Sequence, residues 1–249
     1  MKYLLVIASY NDWRQDFFEQ YISPRNKEYC KKHGYEYLVS DGGELFRSNP
    51  TWWKFTIPLK LIQEGVLKEN DKLVHLDADM AIHKLDEEYP CVKNFSYAID
   101  SGNTHCMGNY AMKINEWSLN LVNMILDEKR YQIFKDIPSV HEYFGYVNSF
   151  WSEFREQASW YSLAGIKRHS NEPFWNLPNF GWHSDNINKH WVYYTLKELY
   201  ENVQIIPTKW NVTEMEGETD GKFLINKVSR EDVVIRHFAG GQPWRKEYL

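Results

Sequence analysis

The chain has 249 residues, and its 29 Lys+Arg against 34 Asp+Glu give a formal net charge of −5. This negative balance argues against a nucleic-acid binder that works by bulk charge. Apolar residues make up 43% and charged residues 25%, a globular composition that excludes a disordered chain. Aromatic residues make up 16%, so the chain has many flat faces to place in a core or against a ligand.

The cysteines and the apolar runs bear on the cellular compartment. The apolar run near the N-terminus, residues 3–8, is too short for a membrane span or a signal-peptide core. Cys30, Cys91 and Cys106 are odd in number and form no Cys-x-x-Cys pair, which indicates neither a disulfide framework nor a cysteine metal site. We therefore expect a soluble, cytoplasmic protein without a transmembrane segment.

The first part of the chain alternates between strand and helix patterns. In chain order these are a strand over residues 2–8, a helix over 16–32 that stops at Gly34, a strand over 35–39, a helix over 52–63 with Pro58 as a kink or broken start, and a strand over 72–76. This order predicts an α/β fold with a mainly parallel sheet.

The second part alternates less regularly. Its expected elements are strands over residues 96–99 and 110–114, helices over 117–127 and 149–163, a strand near 204 and a strand over 232–236. We find no repeat or flexible linker between the two parts. The whole chain, residues 1–249, is therefore treated as one domain.

Asp77-Ala78-Asp79 directly follows the apolar strand 72–76. In open α/β sheets ligands bind beyond the carboxyl ends of the strands. Side chains two apart in an extended segment point to the same side, so both carboxylates can face one cation. Carboxylate oxygens with room for water suit Mg²⁺ or Mn²⁺ holding a diphosphate. The alternative is that the two aspartates cap the next element.

His237 follows the expected strand 232–236 and comes shortly before Gly240 and Gly241. Such a histidine can add an imidazole nitrogen to a metal, and the glycines let the backbone approach a phosphate. A nitrogen ligand shifts the preference from Mg²⁺ towards Mn²⁺. The alternative is a partly buried histidine that hydrogen-bonds the backbone.

Short motifs in a fixed order span roughly residues 3–244. They are His33-Gly34-Tyr35, Trp53-Lys54 with Pro58, the segment 76–82, Gly108 with the segment 115–118, Glu156-Gln157-Ala158, and the segment 237–240. On these motifs the chain resembles the GT-A glycosyltransferases. The likeness is greatest to the galactosyl-, xylosyl- and mannosyltransferase family of fungi and plants, and more distant to the glycogenin family.

The resemblance implies a GT-A fold, with a Rossmann-like, mixed and mainly parallel sheet flanked by helices. It places the nucleotide-donor half at about residues 1–100 and the acceptor half at about 101–249. It also implies a Mn²⁺-dependent (or Mg²⁺-dependent) hexosyl- or pentosyltransferase. The donor would be a nucleotide diphosphate sugar, expected to be UDP-linked, the acceptor a glycan or glycoconjugate, and the anomeric configuration would be retained.

The resemblance also assigns site residues. The metal ligands are Asp77, Asp79 and His237, and the catalytic candidates are Glu156, Gln157 and Asp100. The donor is bound by Ala8, Ser9, Tyr10, Arg14, Lys54, Asp77, Ala78, Gly108, Gly240, Gly241, Gln242 and Lys246. Apart from the resemblance, Trp175, Trp182 and Trp244 lie in Pro- or Gly-containing loops with His183 and Asp185 close by, and Trp182, His183, Asp185 and Trp244 are the candidates for the acceptor site. The alternatives are an exposed stretch of helix for Glu156 and Gln157, and core packing for the tryptophans.

The chain departs from the family at two positions. Gln242 stands where the family places a lysine for the diphosphate, a charge that Arg245, Lys246 or Lys54 could supply. Cys106 stands where an asparagine is common, so we expect the contacts to the hydroxyls of the donor sugar to differ from those of the family.

Two other classes of protein remain open. A haloacid-dehalogenase-type phosphatase also has Asp-x-Asp after an apolar strand, with the first Asp as nucleophile. Its motif usually lies on the first strand with Thr or Val two residues after the second Asp, where this chain has Ala81. A non-catalytic sugar-binding module would not need the N-terminal strand or His33-Gly34-Tyr35.

Overall fold

The computed structural model of the chain describes residues 1–8, 13–41, 50–100, 105–129, 155–164, 166, 194–213 and 228–238. In these ranges no helix is both long and apolar enough to cross a membrane.

The first part of the chain forms the expected alternation of strands and helices. Its elements are β1 (Lys2–Ile7), α1 (Trp13–Phe17), a π-helical turn (Phe18–Ile22), α2 (Ser23–His33), β2 (Glu36–Ser40), a 3₁₀ turn (Pro50–Trp52), α3 (Trp53–Gln63) and β3 (Lys72–Asp77). The helix expected over 16–32 is thus three consecutive segments. Gly34 ends α2 with φ 70° and ψ 39°, the left-handed conformation expected of a glycine there.

The second part contains shorter elements. They are β4 (Met80–Ile82), β5 (Phe95–Ile99), β6 (His105–Lys113), α4 (Glu116–Ile125), α5 (Arg155–Ala164), α6 (Leu196–Asn202), β7 (Val203–Ile206), a 3₁₀ turn (Thr208–Trp210), β8 (Val212–Thr213), a 3₁₀ turn (Arg230–Asp232) and β9 (Ile235–His237). β6 begins five residues before the expected start at residue 110. The strand expected over 232–236 begins only at Ile235, because residues 230–232 form a helical turn.

The main sheet has six strands in the order β2-β1-β3-β6-β5-β7. The pairs β1–β2, β1–β3 and β5–β7 are parallel, whereas β6 runs antiparallel to both of its neighbours. The predicted mixed, mainly parallel α/β sheet is therefore confirmed. A smaller sheet has the order β4-β9-β8.

Helices cover both faces of the main sheet, as the alternation along β1 shows. Leu5 belongs to a buried cluster that includes Trp53 of α3 and Leu121 of α4. Leu4, its neighbour, belongs to a second cluster that includes Tyr29 of α2. Successive side chains of a strand point to opposite faces, so the apolar run of β1 is buried on both sides.

The strand register brings several candidate residues to one edge of the sheet. Ile7 at the end of β1 pairs with Asp77 at the end of β3. Leu76 lies opposite Asn109 of β6, so the next pair along this antiparallel ladder is Asp77 and Gly108. The carboxyl ends of β1 and β3 and the start of β6 therefore meet at Asp77.

Candidate active site

Asp77 and Asp79 do not lie on one extended segment. Asp77 is the last residue of β3, whereas Ala78 and Asp79 form the turn that leads into β4. The expectation that strand alternation places both carboxylates on one side is therefore wrong. The two carboxylates still interact, since the negative charge of Asp77 contributes to raising the pKa of Asp79.

The Asp77 carboxylate has a partner on each oxygen. Lys54 Nζ of α3 lies 2.9 Å from Oδ2, and His75 Nε2 of β3 lies 3.2 Å from Oδ1. Burial by itself would raise the pKa of Asp77, but the nearby Lys54 ammonium and the His75 ring outweigh it and hold the pKa well below the usual range. Asp77 is therefore an anchored carboxylate anion.

Lys54 also links Asp77 to Glu156, in the first turn of α5. Its Nζ lies 3.2 Å from Glu156 Oε1. Burial would lower the pKa of Lys54, but the charges of Asp77 and Glu156 raise it well above its ordinary value. Glu156 is 2% exposed, and its Oε2 has no hydrogen-bond partner among the described residues.

The expectation that Glu156 and Gln157 could form an exposed stretch of helix is wrong, because both side chains are buried. Gln157 Oε1 accepts a hydrogen bond of 3.2 Å from the backbone N–H of Met107 on β6. α5 is thus joined to the strand that carries Gly108.

Asp79 and His237 are brought together by the pairing of β4 with β9. Met80 pairs with His237, and the N–H of Phe238 donates to the carbonyl of Asp79 at 2.7 Å. His237 Nε2 lies 3.5 Å from Asp79 Oδ1, an ion-pair distance. Asp79 Oδ1 is buried and accepts no hydrogen bond from the described residues. Burial raises the pKa of Asp79, with His237 opposing and Asp77 reinforcing the shift.

The second ring nitrogen of His237 is held by Thr213 of β8. Nδ1 lies 3.2 Å from Thr213 Oγ1. In the neutral ring with its proton on Nδ1, Nδ1 donates a hydrogen bond to that oxygen, and the lone pair of Nε2 is available to a cation. Histidines that bind metals are commonly oriented in this way by a partner on the other nitrogen.

Gly108 leaves room for the Asp77 carboxylate. A Cβ at this position would lie 2.3 Å from Asp77 Oδ2 and 2.9 Å from its Cγ. The N–H of Gly108 donates to Cys106 Sγ at 3.4 Å. Burial, with the charge of Asp100, raises the pKa of the Cys106 thiol to about 12, so this thiol is protonated at neutral pH.

Of the remaining candidates, Ala8 follows β1 and donates its N–H to the carbonyl of Ser40 at 2.8 Å. Ala78 is 3% exposed in the turn between Asp77 and Asp79. The backbone of Arg14 belongs to α1, but its side chain lies outside the description. The other candidates lie outside the described residues: Ser9, Tyr10, Trp182, His183, Asp185, Gly240, Gly241, Gln242, Trp244 and Lys246.

The described residues partly fit a divalent cation. Within them, no group of three or more His, Cys, Asp or Glu side chains is arranged to hold a metal ion. Asp79 Oδ1 and His237 Nε2 nevertheless face each other, and the carboxylate oxygen is a buried acceptor without a donor. A carboxylate oxygen and an imidazole nitrogen are ligand types that divalent metals accept, and the choice of Mn²⁺ stays a prediction. The set Asp77, Asp79 and His237 stays a prediction, in which Asp79 and His237 supply the two facing atoms.

Two side chains of the site were missed by the sequence analysis. His75 lies two residues before Asp77 on a strand, so the same alternation rule could have placed both on one side. Thr213 contacts His237 because β8 pairs with β9, and no local sequence pattern predicts that pairing.

Comparisons with known proteins give a distant structural likeness. No protein-family model matches the chain, and no curated protein matches it. A solved structure, described as that of a glycosyltransferase involved in the glycosylation of the major capsid of PBCV-1, is 11% identical. The match covers 99% of this chain and 100% of that one, with a TM-score of 0.48. At this level of similarity, function has to be inferred from the site itself.

Proposed function

We propose that this protein is a metal-dependent glycosyltransferase. It transfers a sugar from a nucleotide diphosphate sugar, expected to be UDP-linked, to a glycan or glycoconjugate. The observation that carries the proposal is the meeting of Lys54, Asp77, Glu156, Asp79 and His237 next to the carboxyl ends of β1 and β3. Ligands of open α/β sheets bind at this edge.

The charges of the site support a cation as the link to the donor. Among the described residues, Asp77, Asp79 and Glu156 are three carboxylates close to one ammonium, that of Lys54. A diphosphate would be repelled by this excess of negative charge unless positive charge came with it. Asp79 and His237, with Asp77 beside them, would hold Mn²⁺. When bound, the ion supplies positive charge that stabilises the leaving diphosphate.

The chain's own side chains then act on the sugar and the phosphates. Cleavage of the bond between sugar and phosphate builds positive charge on the sugar ring. The buried Glu156 Oε2 accepts no hydrogen bond from the described residues, so its negative charge is available to stabilise the positive charge on the sugar ring. Lys54 holds the other oxygen of Glu156 and supplies a cation for the donor. Asp100 and Gln157 remain further candidates beside the sugar.

We propose that the anomeric configuration is retained, as the resemblance implies. Both double displacement and same-face attack are compatible with a single carboxylate at Glu156. The anomeric coupling constant of the first-formed product, measured by NMR, distinguishes retention from inversion. The acceptor-binding candidates Trp182, His183, Asp185 and Trp244 keep that role as part of the proposal.

The proposal is tested by incubating the full chain with a panel of sugar nucleotides and Mn²⁺ and following slow hydrolysis to free sugar. We expect one donor to be hydrolysed, and Asp79→Asn to abolish this hydrolysis. Asp86→Asn is the matched control, because Asp86 is an exposed carboxylate paired with Lys32 and should leave turnover unchanged.

Two results would overturn the proposal. Hydrolysis of p-nitrophenyl phosphate without turnover of any sugar nucleotide would favour the phosphatase. Binding of free sugars without turnover of any donor would favour the sugar-binding module.

A further inference from the structure

We propose that His75 is a positioning residue that fixes the Asp77 carboxylate in the orientation the site requires. The inference rests on the proposed function, since it gives Asp77 a part in holding the metal. His75 lies on β3, two residues before Asp77 and on the same side of the strand. Its ring is fully buried, and its Nε2 lies 3.2 Å from Asp77 Oδ1.

The contact defines which atom donates. An ionised carboxylate only accepts hydrogen bonds, so the proton must be on Nε2 of His75. Lys54 Nζ lies 2.9 Å from the other oxygen, Oδ2. With one donor on each oxygen, the carboxylate cannot rotate without breaking a charge-assisted hydrogen bond. His75 therefore sets the plane of the carboxylate.

An aromatic layer holds the two partners of Asp77 in register. The rings of His75 and Tyr110 are 5.1 Å apart, and Tyr110 stacks on Phe55 at 5.0 Å with an interplanar angle of 3°. The Tyr110 hydroxyl donates to the backbone carbonyl of Lys54. Tyr110 thus contacts both the residue that bonds Oδ1 and the backbone of the residue that bonds Oδ2.

The test compares two substitutions of His75 in the full chain. His75→Phe keeps a ring against Tyr110 but removes the N–H. His75→Gln removes the ring but carries an amide N–H that can reach the position of Nε2. Mn²⁺ affinity is measured by the EPR signal of the free ion, without a donor sugar, and folding is checked by thermal unfolding.

We expect His75→Phe to weaken Mn²⁺ binding by about tenfold or more, the usual effect of losing a partner that orients a metal ligand. Gln should restore affinity to within about threefold of the wild type, because the orienting donor is back. If His75 acted through packing alone, His75→Gln would weaken Mn²⁺ binding more than His75→Phe, because Phe preserves the packing better than Gln does.

His33→Phe is the matched control. His33 has one ring contact with Tyr29 at 4.5 Å and one hydrogen bond to the carbonyl of Leu85 at 2.7 Å. It lies near the start of β1, where Lys2 Nζ bonds its carbonyl, whereas Asp77 lies at the far end of the neighbouring strand. His33→Phe should leave Mn²⁺ affinity unchanged.

A second readout separates this inference from the proposed function. In the metal-free protein, the ¹⁵N signal of the Lys54 ammonium reports its ion pair with Asp77. We expect that signal to shift in His75→Phe and to return in His75→Gln. If the wild type binds no Mn²⁺ but the signal shifts, the metal proposal fails and His75 still positions Asp77.

Two outcomes would overturn the role of His75. The first is an unchanged Lys54 signal in a folded His75→Phe variant, whatever its Mn²⁺ affinity. The second is a wild type that binds Mn²⁺ while His75→Phe, also folded, binds it equally well.

Discussion

Gly108→Ala is a small change with a large expected effect on the site. The added Cβ would lie 2.3 Å from Asp77 Oδ2, whereas ordinary contact begins at about 3.4 Å. One of the two groups must therefore move by about 1.1 Å, the difference between these distances. Asp77 Oδ2 is the atom that lies 2.9 Å from Lys54 Nζ, so a shift of this size in the carboxylate changes the length or the angle of that contact.

Overpacking of this kind typically costs about 1–3 kcal/mol, and here it also displaces a carboxylate of the site. We expect the free energy of unfolding, measured by urea denaturation, to fall by that amount. We expect Mn²⁺ affinity and turnover of the donor to fall as well. Gly108 has no positive φ, so the backbone alone does not oppose alanine there.

Gly65→Ala is the control that separates the effect of steric overlap from the effect of backbone conformation. Gly65 has φ +74°, and a Cβ added there would meet no atom within 4 Å. Alanine there should cost about 1–2 kcal/mol through the left-handed backbone, and should leave Mn²⁺ affinity unchanged. If Gly108→Ala matches the wild type in both stability and Mn²⁺ affinity, the orientation of Asp77 does not matter and the reasoning is refuted.

Two further predictions concern charges in the site. Asp79→Asn and His237→Ala should each abolish metal-dependent turnover while the urea midpoint stays near that of the wild type; full activity in either variant would refute the metal assignment. Lys54→Met should lower the free energy of unfolding by about 3–5 kcal/mol, because Asp77 and Glu156 lose their buried counter-ion. Adding Glu156→Gln should recover part of that loss, and an unchanged urea midpoint for Lys54→Met alone would contradict the ion-pair network.

The sequence predicted the elements whose signals are local. The alternation of strands and helices, the stop at Gly34 and the position of Asp77 at the end of a buried strand are all confirmed. The extended geometry assumed for Asp77 and Asp79 was wrong, since a turn at residues 78–79 follows the strand. A short turn can accept the same residues as a strand end, so composition did not distinguish them.

The contacts across the site depend on pairings far apart in the chain. Lys54 and Glu156 are 102 residues apart, and their contact requires α3 and α5 to pack on the same face of the sheet. Asp79 meets His237 only because β4 pairs with β9. The helical pattern around Glu156 did not reveal that its side chain is buried, because a carboxylate on an amphipathic helix is ordinarily exposed.

The central claim is that a nucleotide binds here through a metal, and thermal unfolding with UDP and Mn²⁺ tests it most directly. At a UDP concentration of about 100 Kd, binding stabilises the folded state by about 2.7 kcal/mol, which raises Tm by roughly 5–10 °C for a chain of this size. We predict this rise for the wild type with UDP and Mn²⁺ together, beyond any effect of Mn²⁺ alone, no rise with UDP alone, and no such rise in Asp79→Asn. An identical Tm with and without UDP and Mn²⁺ would contradict the account.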